Sequence, residues 1–203
     1  GSFRRNDSRE SMIGDGNGMA IDRQNDTATV QGARFSNTSD DMRTTVAIYN
    51  NDVNDNGNDS AYGWNARVEY LAEGSWGQFD EFTCANGSAS GTLVGFSYPT
   101  FDEGDGDSGN DGDTVWNADV QMQMGGSSLY LSYNDDETDA GVTNNSTQIM
   151  WSTWIDSDWE LYVRHIDDDR TDGEETHIGV NQYWAGHNAK WTTQYDMGDA
   201  GDD

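Results

Sequence analysis

The chain has 203 residues, a one-domain length, with 38 acidic against 10 basic side chains and a formal charge of -28. That balance excludes nucleic acid as a partner, because phosphate binding needs clustered Lys and Arg, and it excludes an electrostatic anchor to anionic lipid. No run of 18 apolar residues marks a transmembrane helix, the 33% apolar fraction is low, and 8 Trp with 9 Tyr argue against a disordered chain.

In chain order, apolar and polar residues alternate with the period of a β-strand. Ten strands are expected, at about 27–35, 42–50, 60–71, 89–97, 114–124, 127–133, 146–155, 159–166, 175–184 and 188–197. Most approach the roughly 9–11 residues that a tilted strand needs to cross a bilayer. Ordinary strands average about 5–6.

The connections alternate in length. Short ones are Gly125-Gly126, Asp156-Ser157-Asp158 and "AGHN" at 185–188. Long ones are 51–59, 99–113, 134–145 and 167–175, and the last three hold sixteen acids and one base, Arg170. Short turns at one end and long loops at the other are the pattern of an outer-membrane barrel. Excess acid also serves solubility in salty surroundings, which is the bland account of the same charge. The single proline, Pro99, falls at a loop, where it removes no ladder hydrogen bond.

Register sharpens the reading. Residues flanking a hairpin turn pair and share a face. Met124 then pairs with Ser127, Ile155 with Trp159, and Trp184 with Ala189. Each pairing keeps an apolar face continuous through its hairpin: Trp116 to Met124 with Leu129 to Tyr133, Ile149 and Trp151 with Leu161 and Val163, Ile178 and Val180 with Trp191 and Tyr195.

The expected lipid-facing set is therefore Trp116, Leu129, Trp151, Val163, Val180 and Trp191. The opposite face is polar and is expected to line a pore through Arg43, Arg67, Glu69, Asp119, Gln121, Glu160, Tyr162, Arg164, Lys190 and Gln194. Tyr62, Trp64, Trp116, Tyr133 and Tyr195 fall toward the long loops, and Trp159 and Trp184 beside short turns. Two aromatic bands of that kind suit the headgroup zones of a membrane. The alternative is a soluble or surface-assembled acidic β-sandwich, whose apolar face would meet a second sheet, with a structural or Ca²⁺-binding role.

Other chemistry is sparse. Asp52, Asn54 and Asn56 before Gly57 echo the first half of a Ca²⁺ loop, but position 12 is Gly63 and the bidentate Glu is missing. Asp102, Asp105 and Asp107 form a second acidic cluster. Both read first as solvated loop, with Ca²⁺ on rim carboxylates as the metal reading. His165, His177 and His187 show no zinc spacing, and the one cysteine, Cys84, forms no internal disulfide and has no His at motif spacing. No nucleophile elbow, phosphate loop or dinucleotide fingerprint appears, so no enzyme is expected and no cofactor beyond that Ca²⁺.

"IGVNQYWAGHNAKWTTQYDM" (178–197) resembles the penultimate hairpin of the phosphate-selective porin O and P family. "YGWNARVEYLAEGSWGQFDEF" (62–82) resembles that family's strand with an Ala-Arg-Val/Leu-Glu-Tyr core, and "WELYVRH" (159–165) and "MAIDR" (19–23) fit weaker patterns. The resemblance implies a large antiparallel barrel in the bacterial outer membrane, a homotrimer in contact with lipid, passing small solutes or ions by passive diffusion. The family's first several strands have no counterpart, and the chain stops at "DMGDAGDD" without a strand ending in an aromatic residue. The expectation is one barrel domain over 1–203, the C-terminal portion of a larger porin or a shortened relative. The phosphate label fits poorly, because anion selectivity needs basic residues in the pore. Arg43, Arg67, Arg164 and Lys190 are balanced by Glu69, Asp119, Glu160 and Asp196. A cation-preferring or weakly selective pore suits these charges better.

Overall fold

The structure is a computed structural model and describes residues 32–50, 62–79, 82–101, 114–137, 143–169, 173–185 and 189–198. These form ten strands: β1 (Gly32–Thr38), β2 (Met42–Asn50), β3 (Tyr62–Glu73), β4 (Gly91–Phe101), β5 (Thr114–Gln123), β6 (Ser127–Glu137), β7 (Thr143–Trp154), β8 (Trp159–Asp168), β9 (Gly173–Tyr183) and β10 (Lys190–Gly198). All ten belong to one antiparallel sheet in sequence order, each strand bonded to the next. This is the all-β meander that the alternation requires. Where the ends are described they differ from expectation by a few residues, most at β4, which runs on to Phe101, and at β6, which runs on to Glu137; residues 27–31 of the first expected strand lie outside the described residues.

The three inferred hairpin registers hold. Met124 N–H donates to Ser127 O at 2.8 Å, Ile155 N–H to Trp159 O at 2.9 Å and Trp184 N–H to Ala189 O at 2.9 Å. The β5–β6 turn needs its two glycines: Gly125 and Gly126 have φ of 67° and 117°, which L-residues with a Cβ rarely adopt. At the next turn, Asp156 Oδ1 accepts the N–H groups of Asp158 and Trp159 at 2.8 and 2.9 Å, a local cap on groups the ladder leaves free. At the opposite end the connections are 51–61, 102–113, 138–142 and 169–172.

Burial inverts the rule for a soluble sheet. The sheltered face is polar: Arg67, Glu69, Asn117, Asp119, Gln121, Gln123, Glu160, Arg164 and Asn181 are buried. The exposed face is apolar, carrying Val46, Val68, Phe96, Leu131, Ile149, Trp151, Ile178 and Trp191. Water favours the opposite arrangement, by about 25 cal/mol per Å² of apolar surface. An apolar face left uncovered along a whole sheet is an interaction surface.

One connection departs from its end of the sheet. Residues 74–79 and 82–90, between β3 and β4, do not form the tight turn seen between β5 and β6 or between β7 and β8. A bulge between Leu71 and Glu73 breaks the β3–β4 register, and Gly74 follows at φ 100°. A bulge bends its strand, and a side chain on Gly74 would meet Gln78 Oε1 at 2.6 Å. The chain then makes one 3-10 turn, Trp76–Phe79, and passes over the polar face.

Candidate functional site

The site is the polar face and the strap that crosses it. The strap is docked at both ends onto turns of the sheet. At its start, Trp76 Nε1 donates to Ser39 O at 3.0 Å, and the Arg43 guanidinium lies 4.2 Å from the Trp76 ring centre, a cation–π geometry. At its far end, Asn86 Nδ2 donates to Asp156 O at 2.8 Å. Between these points its backbone is held by side chains of the sheet. Gln123 Nε2 donates to Gln78 O at 2.6 Å, Gln121 Nε2 to Phe82 O at 3.1 Å and Trp154 Nε1 to Cys84 O at 2.7 Å. Cys84 N–H donates to Ser128 Oγ at 2.8 Å.

This explains why amides occupy the inner face of β5. A segment without strand partners must satisfy its backbone elsewhere, and Gln121 and Gln123 supply those donors. Phe82 is the strap's apolar anchor. It packs on Tyr130, Met150 and Tyr162, one from each of β6, β7 and β8, with the Tyr130 ring centre 4.8 Å away at 69°. Burying such a side chain contributes about 1.5–3 kcal/mol, and each anchoring hydrogen bond about 0.5–1.5 kcal/mol. Phe79 fills a second pocket with Leu71 and Leu93.

Charges on the inner face are paired into a short chain. Arg43 Nη1 lies 3.6 Å from Glu69 Oε2, Arg67 Nε 3.3 Å from Glu69 Oε1, and Arg67 Nη2 2.7 Å from Asp119 Oδ2. The last contact spans two strands, from β3 to β5, because β4 presents Gly95 between them. Glu69 registers with Gly95, and Gly95 with Asp119. A Cβ on Gly95 would collide with Arg67 Nη2 and approach Asp119 Oδ2 to 2.6 Å.

The device recurs at the other side of the sheet. Tyr162 of β8 registers with Gly179 of β9, and a Cβ there would collide with the Tyr162 ring. The ring therefore lies across β9, and its hydroxyl donates to Gln194 Oε1 of β10 at 2.6 Å. Twice, a glycine on the inner face lets a large side chain reach the second strand over.

Neutral polar groups complete the face. Asn117 Nδ2 donates to Asn134 Oδ1 at 2.8 Å, and Asn134 Nδ2 to Ser146 Oγ at 2.9 Å, a ladder across β5, β6 and β7. Glu160 Oε2 accepts from Asn181 Nδ2 at 3.0 Å and from Tyr183 Oη at 2.6 Å. His177 Nδ1 lies 2.6 Å from Asp196 Oδ1.

All ten residues expected to line a pore are on this inner face, but most are sealed from solvent. Gln121, Glu160 and Tyr162 are 0% exposed, where the sequence led us to expect contact with water. Arg43, Lys190 and Gln194, nearer the sheet's edges, are partly exposed. All six residues expected to face lipid are on the outer face; Trp151 and Trp191 are exposed, and Trp116, Leu129, Val163 and Val180 half-buried among their neighbours. Outer aromatics form a row near the long-loop end. Phe96 is 6.1 Å from Trp116, Trp116 is 5.2 Å from Tyr133, and Trp64 is 5.8 Å from Tyr98.

The proposed metal residues Asp52, Asn54, Asn56, Asp102, Asp105 and Asp107 lie outside the described residues, as do residues 19–23. Among the described residues, no group of three or more His, Cys, Asp or Glu side chains is placed to hold a metal ion. Sequence reasoning missed Phe82, Ser128, Trp154 and the strap itself. The signals were a long connection between 73 and 91 at the short-turn end, and two large apolar residues, Tyr130 and Met150, on the polar parity.

Comparison with family models, curated proteins and solved structures returned no match.

Proposed function

We propose that this chain forms the wall of a bacterial outer-membrane β-barrel, a passive and non-enzymatic pore for small solutes or ions with weak or cation preference. One observation carries the reading: the apolar face is exposed and the charged face sheltered, in strand after strand. Lipid stabilises the first, and only a closed polar interior suits the second. Strands of 9 to 12 residues from β2 to β10 match an apolar band about 25 Å tall when tilted, and the outer aromatic row fits one of its borders. Among the described residues β1 and β10 each pair on one side only. An unpaired edge cannot face hydrocarbon, so the reading requires further strands beside both, and a trimer is the assembly that the porin resemblance suggests.

Selectivity follows from charge. Arg67, the most enclosed cation of the chain Arg43–Glu69–Arg67–Asp119, has a carboxylate on each side, so its guanidinium is not offered bare to phosphate. The acidic loops favour cations at the mouth. The test is conductance in planar bilayers under a salt gradient. Stable steps with a cation-selective reversal potential are expected. An anion-selective potential overturns the selectivity, and protein that stays monodisperse without detergent and gives no steps overturns the pore in favour of an acidic sandwich.

A further inference from the structure

We infer that β1 and β10 are the two halves of one seam: β10 of one copy pairs with β1 of a second, and two copies together close one barrel. The inference rests on the pore reading above. Within one chain the two end strands do not meet. Among the described residues β1 bonds β2 alone and β10 bonds β9 alone. The ten strands already cover much of their inner face with their own side chains. A barrel of about 8 strands is filled by its side chains, and an aqueous channel takes roughly 16–18. Two copies of ten strands supply twenty.

The end strands match in direction, backbone and side chains. In a ten-strand meander β1 and β10 run antiparallel, and Arg34 and Asp196 both lie toward the long loops. Alternate residues of an antiparallel pair turn N–H and C=O to the partner. Ser39 N–H donates to Met42 O and Trp184 N–H to Ala189 O. By that alternation Arg34, Ser36 and Thr38 of β1, and Thr192, Gln194 and Asp196 of β10, aim their backbone groups out of the sheet. Setting Arg34 opposite Asp196 brings these six together as three bonded pairs. It also sets a guanidinium against a carboxylate on the inner face, and Phe35 against Tyr195 on the outer face. Phe35 and Tyr195 are 71% and 69% exposed, more than any large apolar residue described in β2 to β9. The Asp196 side chain lies 2.6 Å from His177 Nδ1 and keeps most of its surface exposed. A slip of two residues sets Arg34 against Gln194 or Gly198 and Phe35 against Thr193 or Met197, losing the ion pair and the aromatic pair together. A slip of one reverses the faces.

In this register Phe35 and Tyr195 form a non-hydrogen-bonded pair, whose Cα atoms lie about 4.5 Å apart, within reach of a disulfide. F35C/Y195C in detergent micelles, oxidised with copper-phenanthroline, is expected to run on a denaturing gel as a covalent dimer that dithiothreitol splits. Mass spectrometry is expected to find the 35–195 link, with the buried Cys84 outside it. The same link in a species of one chain's mass overturns the two-copy barrel in favour of closure by a single chain. Species larger than the dimer mark a head-to-tail assembly that does not close at two copies and overturn it as well. Absence of the link overturns the seam and gives the β10 edge to another strand. Charge exchange reads the seam without cysteines: R34D and D196R are each expected to lose the dimer, and R34D/D196R to regain it. A dimer indifferent to all three overturns the register. Planar-bilayer conductance keeps the pore separate. Steps from F35C/Y195C in which no link forms overturn the seam and leave the pore, and a cross-linked dimer without steps upholds the seam and removes the pore.

Discussion

Strands β8 and β10 are built from the same alphabet and meet different fates. In β8 the outer residues Trp159, Leu161 and Val163 are half-buried, and the inner residues Glu160, Tyr162 and Arg164 are buried. In β10 the outer residues Trp191, Thr193 and Tyr195 are exposed, and the inner residues Thr192 and Gln194 are only half-buried. Both alternate apolar outward and polar inward. The difference is what lies beside and above them. β8 pairs on both sides and carries Phe82 of the strap over Tyr162, while β10, among the described residues, pairs with β9 alone. Burial of polar groups in this sheet is conferred by neighbours across the strands, and it fades where the neighbours run out.

The comparison breaks most sharply at Arg67. Arg67→Ala leaves Glu69 and Asp119 buried without their shared cation, a loss expected to cost about 3–5 kcal/mol. Arg43→Ala, at the partly exposed end of the same charge chain, is expected to cost under about 1 kcal/mol. Urea unfolding in detergent micelles, followed by tryptophan fluorescence, measures both, and equal losses would contradict the burial gradient.

A lysine on the outer face tests what covers it. Val163→Lys near the middle of β8 is expected to cost about 2–4 kcal/mol for protein folded into lipid vesicles, if the face meets the bilayer midplane. A change within about 0.5 kcal/mol, the usual size for a water-facing substitution, would remove lipid as the partner of that face.

Gly179→Ala pushes a methyl group into the Tyr162 ring. Overpacking of this kind costs about 1–3 kcal/mol, and loss of the Tyr162–Gln194 hydrogen bond is expected with it. The smallest effect belongs to the edge. Gly198→Ala brings the new methyl 3.6 Å from Glu175 Cγ, an ordinary contact, and stability is expected to hold within about 0.5 kcal/mol. If both glycines respond alike in the same unfolding assay, the inner face is not packed as described.

The sequence by itself determined ten strands to within a few residues, the pairing through three of the hairpins, and which residues share a face there. Alternation has a period of two, and a slip of one residue would turn every apolar side chain inward. Met124, Ile155 and Trp184 were therefore enough to set three registers. Which face is sheltered was decided only by the tertiary structure, because alternation looks the same for a soluble sandwich and for a membrane wall. The strap was also beyond reach. Its anchors join Phe82 to Tyr130, Met150 and Tyr162, and Asn86 to Asp156, across separations that no local pattern encodes. Gly95 and Gly179 are of the same kind. In the sequence they are interruptions of a strand, and only the sheet shows that Arg67 and Tyr162 need the space above them.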